Sequence, residues 1–311
     1  MAFHFKRKES IQKAIRRIAQ ERIERALAAL QSRDKLEGIH RVRMEIKKLR
    51  SLLRLVRSQI DRHAYDRETR ALWQAANYLS APRDAHVTFK ALNELMAHFN
   101  RQIFTHAFES VKHVLRQRCR EEAARYDKLS SPRAVAGILR ELSYFFKELR
   151  IQANGWQAIC PGVNWSYSRG RCCCAAALED PSPENLHQWR KRVKDLWYQV
   201  LLLRPVWPEQ MCAMAGELKT LSERLGDDHD LVLLSQAVAG NHRCEKELEA
   251  LGRLIAVQRQ ELRSAALGLG ARFYVDKPRV FRARLGRYWE LWCSEKRKFR
   301  RVVRSTLPVR I

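Results

Sequence analysis

Two stretches of the chain, 147 residues apart, carry the same alternation of apolar and charged side chains. IHRVRMEIKKLRSLLRLV starts at Ile39 and LHQWRKRVKDLWYQVLLL starts at Leu186. On a helix turning about 100° per residue, Val42, Ile46, Leu49, Leu53 and Val56 fall within about 80° of arc and make one apolar stripe. Trp189, Val193, Leu196, Val200 and Leu203 occupy the same five places in the second stretch, with no slip of register. A helix face written twice marks an internal repeat, and each copy has an apolar stripe to bury.

Positive charge travels with the pattern. His40, Arg43, Lys47, Arg50 and Arg54 form a second stripe, centred about 120° from the apolar one. His187, Arg190 and Lys194 repeat its first three members at the same spacing, and Lys191 and Tyr198 join them. Over the whole chain Lys and Arg outnumber Asp and Glu by 60 to 34, a formal charge of +26. An excess of that size repels itself unless an anion is near, so the expected partner is a polyanion: nucleic acid, an acidic lipid surface or a phosphate polymer. Guanidinium forks engage adjacent phosphate oxygens in pairs, and ammonium groups serve as mobile point charges. A histidine one turn before each arginine donates from both ring nitrogens once protonated, and a nearby anion favours that form, so His40 and His187 are expected to be pH-sensitive contacts.

The rest of the chain reads as helix. Only 12 glycines and 9 prolines punctuate 311 residues, 46% of them hydrophobic, which is enough for a sizeable core. Windows 9–32, 39–58, 65–79, 86–126, 132–151, 184–204, 209–225, 230–269 and 278–303 show helical apolar spacing, and strand-like alternation is absent. Breaks are predicted at Ser80-Ala-Pro-Arg, Ser130-Ser-Pro, Cys160-Pro-Gly, Asp180-Pro-Ser-Pro, Gly226 and Asp276-Lys-Pro. The least regular stretch, 152–166, is the expected connection between a first unit, 1–151, and a second, 167–311. MAFHFKRKES lacks the apolar run of a signal peptide, and no stretch reaches the roughly 18 apolar residues of a membrane span, which predicts a soluble cytoplasmic protein. Five of the eight cysteines are scattered, Cys172 to Cys174 are consecutive, and no CxxC pair gives zinc spacing; they read as small apolar residues on helices, with no metal or other cofactor implied.

Each copy is followed by a helix and an acidic turn, YLSAPRDAHV from Tyr78 and RLGDDHDLVL from Arg224. Asp84 lies 44 residues after His40, and Asp230 lies 43 residues after His187. A carboxylate repels an anionic ligand, so these two are expected to cap the next helix or to orient a cationic side chain. DHDLV from Asp228 also matches an aspartyl phosphotransferase pattern, but that chemistry needs a preceding strand and TLSERLG reads as helix.

The H-x-x-R-x-x-x-K-x-L core in both halves, with L-S-x-x-R-D after the first and L-G-D-D-H-D-L after the second, resembles the CHAD family, the conserved histidine α-helical domain. The resemblance covers nearly the whole chain, including ARFYVDKPRVFRARLGRYWELW from Ala271, and involves no triphosphate-tunnel domain. It implies an all-α fold of two antiparallel four-helix bundles related by a pseudo-twofold axis, with a basic cavity between them that binds inorganic polyphosphate. It also implies a binding module more than an established enzyme, with association with polyphosphate granules as an expectation. The chain departs from the usual pattern at Met44 and Lys48 in the first half and at Asp195 and Trp197 in the second, so the two cavity walls should differ in charge, and no role passes to Met44, Asp195 or Trp197. Lys48, Arg169 and Arg171 are secondary candidates for binding, and the tail SEKRKFRRVVRS from Ser294 is a further basic stretch. Nucleic-acid binding is the main alternative, although no recognised module is present. A phosphohydrolase or phosphotransferase is the other; the chain lacks G-x-x-x-x-G-K-[S/T], H-E-x-x-H and E-x-E-x-K.

Overall fold

A computed structural model describes residues 3–99, 108–128, 131–239 and 245–306, with side chains omitted at 127, 128, 245 and 295–306. Every regular element among the described residues is a helix, and none is a strand. In chain order the helices are α1 (Ile11–Ala29), α2 (Lys35–Leu55), α3 (Arg62–Asn77), α4 (Ser80–His98), α5 (Glu109–Lys128) and α6 (Ser131–Glu148). The second half supplies α7 (Gly155–Glu179), α8 (Pro183–Leu202), α9 (Pro208–Val238), α10 (Glu245–Phe273) and α11 (Pro278–Thr306). None of the described helices is long and apolar enough to cross a membrane.

Small polar residues start these helices where the sequence offers them. The side chains of Ser10, Asp34, Asp61 and Ser182 accept bonds from Lys13, Glu37, Ala64 and Asn185 backbone N–H groups, each satisfying one orphan donor of a first turn. Pro183 follows its cap at the first helical position, where its missing N–H costs nothing.

Two expected breaks do not interrupt a helix. α7 runs unbroken through Cys160-Pro-Gly, so most of the stretch 152–166 is helix and the irregular connection shortens to the few residues before Gly155. α9 runs unbroken through Gly226. Both glycines are places of close approach. A Cβ on Gly162 would overlap the backbone carbonyl of Leu55 at the end of α2, and one on Gly226 would stand 3.1 Å from Arg190 Nη2. The cost of glycine within a helix, about 0.5–1 kcal/mol relative to alanine, is accepted to let other groups in.

All ten residues of the two apolar stripes are buried. α1 packs on α2 and α7 on α8, and the repeated helices α2 and α8 pack on each other. The core does not divide at the chain midpoint. One apolar cluster draws on both halves, from Ile15 and Leu49 to Trp189, Leu218 and Phe281. A second joins Leu92, Leu95 and Leu115 of α4 and α5 to Leu231, Leu234 and Ile255 of α9 and α10. The segment before α1 crosses as well: Phe5 N–H donates to the Leu202 carbonyl at 3.0 Å, and its ring meets Trp289 edge-on. The described cysteines, all free, lie on helices; Cys174 is buried, Cys119, Cys160 and Cys173 are half-buried, and Cys172, Cys212 and Cys293 are exposed, while Cys244 lies outside the described residues.

Candidate functional site: a cationic cavity between the repeated helices

Burying the apolar stripes of α2 and α8 turns the adjoining cationic stripes toward one cavity of about 410 Å³. Arg43, Lys47, Arg50 and Arg54 line it from α2, and Arg190, Lys191, Arg192 and Lys194 from α8, with His187 and Tyr198 beside them. α4 adds Arg83 and Asp84, α9 adds His229, and α3 contributes Trp73, Ala76 and Asn77.

Carboxylates fix some of these cations. Asp195 accepts from Arg54 Nη1 at 2.7 Å and lies 3.2 Å from Arg192 Nη2, while its backbone carbonyl accepts from Ser51 Oγ at 2.7 Å. A buried carboxylate from α8 thus orients one arginine of each half and ties the two helices together. Arg192 also leans on the Trp165 indole, 5.3 Å from its centroid, with Arg57 at 4.7 Å. Arg83 bridges Asp84 at 2.8 Å and Asp230 at 3.3 Å, joining α4 to α9. Neither aspartate caps a helix: Asp84 already sits in α4, and Asp230 is deep inside α9 because Gly226 starts no new helix.

The remaining cations are less well matched. Arg43 Nη1 donates to the Ala76 carbonyl at 2.7 Å, but the Nε atoms of Arg43, Arg50 and Arg190 and Nδ1 of His187 are buried without a hydrogen-bond partner among the described residues. Burial first, with neighbouring positive charge adding to it, lowers their pKa values. Arg43 falls to about 10, through burial and Arg83. Lys194 falls to about 7, through burial and then Arg190 and Arg83. Lys47 is pushed well below the usual lysine range by burial and by Lys194 facing it. His187 drops to about 4 and His229 to about 3, burial leading in both, and their rings stack with centroids 4.2 Å apart. At neutral pH both histidines are therefore uncharged, so the protonated contact expected at His187 needs a nearby anion to raise its pKa. Burial leads in raising Tyr198 above its ordinary range.

Four of the sequence candidates lie away from the cavity. His40 is exposed on the outer part of α2. Lys48 pairs with Glu45 at 2.8 Å and stands over the Phe3 ring. Arg169 is exposed, and Arg171 donates to the Tyr274 carbonyl at 3.2 Å. The basic tail has no described side chains beyond Ser294. Arg83, Arg192, His229 and Trp73 were not anticipated. Arg83 stood in the quoted L-S-x-x-R-D motif beside Asp84, but its second carboxylate, Asp230, lies 147 residues on; Arg192 and His229 stood in RKRVKD and DDHD, and Trp73 belongs to no repeated position. Asp195, given no role in the sequence reading, is a hub. Among the described residues no group of three or more His, Cys, Asp or Glu side chains is placed to hold a metal ion.

The geometry defines an all-helical protein whose two repeated helices enclose a cationic cavity. The chain belongs to the CHAD domain family, whose sequence profile matches residues 9–239. It is similar in fold to the crystal structure of the CHAD domain from the plant Ricinus communis, with a TM-score of 0.66 at 20% identity over 89% of this chain and 96% of that one. It is also similar to PptA from Streptomyces chartreusis, with a TM-score of 0.62 at 17% identity over 86% of this chain and 100% of that one. No curated protein matches it in sequence.

Proposed function

We propose that the protein binds inorganic polyphosphate in the cavity between α2 and α8, and that it acts as a binding module on that polymer, at polyphosphate granules, without turning it over. Family membership supports the ligand class, since CHAD domains are associated with polyphosphate. The observation that carries the reading is the set of buried, unpartnered guanidinium nitrogens on Arg43, Arg50 and Arg190. A buried donor without an acceptor costs about 1–3 kcal/mol, more when charged, and these converge from both repeats on one space. A chain of phosphates supplies acceptors and negative charge together. Rows of lysine and arginine grip phosphate but do not hydrolyse it without a positioned water and usually a metal ion.

The test is a titration with long-chain polyphosphate, tripolyphosphate, duplex DNA and RNA at matched phosphate concentration and two salt levels. Long polyphosphate is expected to bind more tightly than duplex DNA, because a thin flexible strand enters the cavity and a duplex reaches only the outer surface; equal or weaker binding overturns the reading. Arg43→Ala and Arg190→Ala should each cost about 1.5–3 kcal/mol of polyphosphate binding. Arg279→Ala, at an exposed position on α11, should cost well under about 1 kcal/mol. Comparable losses in all three would mean diffuse attraction to surface charge.

A further inference from the structure

Trp73 does not suit a site for bare phosphate. It lines the cavity from α3, yet its side chain is 60% exposed. The face of an indole carries the negative lobe of its quadrupole and repels a phosphate oxygen, so a bare phosphate uses at most the Nε1–H edge and leaves the broad face open. Trp165, by contrast, packs against the guanidinium groups of Arg57 and Arg192, whereas Trp73 has no ring or cation partner among the described residues. One turn further along the same face, Asn77 is exposed, lines the same cavity, and makes no side-chain hydrogen bond to the described residues. Between them lies Ala76, whose carbonyl accepts from Arg43 Nη1 at 2.7 Å. A cavity arginine with a free Nε is thus docked on the very turn that presents an open indole face and an open carboxamide. A flat heterocycle stacks on the first, its donor and acceptor edge suits the second, and attached phosphates reach the arginine.

Resting on the reading of the cavity as a phosphate site, we propose that Trp73 and Asn77 at its mouth seat the base of a nucleoside polyphosphate whose phosphate chain enters the cationic interior. The base supplies recognition at the rim, and Arg43 is the first cation that the phosphates meet.

Calorimetric titration of the full chain with ATP, GTP, tripolyphosphate and a short single-stranded RNA, in magnesium-free buffer, tests this in the wild type and in Trp73→Ala, Trp73→Phe and Asn77→Ala. Trp73→Ala should weaken ATP about tenfold, or about 1.4 kcal/mol, while moving tripolyphosphate less than about twofold. Trp73→Phe should restore most of the loss, and Asn77→Ala should change the ratio of ATP to GTP affinity. Because Trp73 is exposed, the variants should keep the wild-type thermal midpoint, which is measured alongside. ATP affinity that is indifferent to Trp73, or that falls in parallel with tripolyphosphate, overturns the proposal and leaves the phosphate cavity standing. Failure of all four ligands to bind while long-chain polyphosphate still binds overturns this proposal alone, and failure of long-chain polyphosphate as well sinks both readings. A dependence on Trp73 seen with RNA but not with ATP replaces the nucleotide by a nucleic-acid strand.

Discussion

α2 and α8 repeat one another position for position in their apolar stripes, yet their polar faces meet different neighbours. Val42 and Trp189, or Leu49 and Leu196, are equally buried, because both helices face one shared core. His187 lines the cavity and stacks on His229, whereas His40 at the equivalent place is exposed. Arg43 is tied to a backbone carbonyl of α3, whereas Arg190 lies against Gly226 of α9. The sharpest divergence is at Lys48 and Asp195. The lysine turns away to Glu45, and the aspartate holds arginines of both halves. Core positions of a repeat are constrained by a neighbour that both copies share, while polar positions are constrained only by whatever lies opposite each copy.

The comparison can be broken first at the core. Leu49→Ala and Leu196→Ala should each lower stability by about 2–5 kcal/mol in chemical denaturation, and by similar amounts if the two stripes are equivalent. Unchanged midpoints in both would show that the apolar faces are misassigned.

A smaller effect is expected in the pH dependence of binding. Lys194 sits at about 7 in the empty cavity, depressed by burial and by Arg190 and Arg83, and a bound polyanion raises it. Binding then takes up a proton above pH 7. Polyphosphate affinity should be greatest below that value and should decline as pH rises from 7 toward 9, approaching a decade per pH unit for this group. Lys194→Arg, charged throughout, should flatten that decline, and proton uptake should appear as a dependence of calorimetric heat on buffer ionisation enthalpy. An identical slope in the variant would assign the dependence elsewhere, Lys47 being the next group to replace.

The smallest effect sharpens the divergence of the polar faces. His187→Asn should weaken polyphosphate binding at pH 6 by about 1 kcal/mol, the scale of one hydrogen bond, and His40→Asn should leave it within error. Equal losses would bring His40 into the site despite its exposure.

The helical fold and the buried stripes were legible because 3.6-residue periodicity is a local signal, repeated here without a slip. Glycine misled twice. Gly162 and Gly226 were read as punctuation, but each makes room for a group far away in sequence, and that neighbour is invisible without the fold. Most of the cationic site could be read from the stripe opposite the apolar one. Trp73 could not, since nothing local distinguishes an exposed tryptophan at a cavity mouth from one on a plain surface. Asp195 was passed over for a related reason: it interrupts a basic pattern, and its value lies in Arg54, more than a hundred residues earlier.

The apolar cluster shared by α4, α5, α9 and α10 imposes an order on how the protein can come into being. Leu92 leaves the ribosome 139 residues before Leu231, the partner it needs, a wait of about 7–30 s at typical synthesis rates. Throughout that interval the first half carries an uncovered greasy flank, and a chain truncated late within it already has the cationic face of α8 but still lacks a complete core. Covering that flank therefore waits on α9, which is made after the cationic face of α8 is already in place.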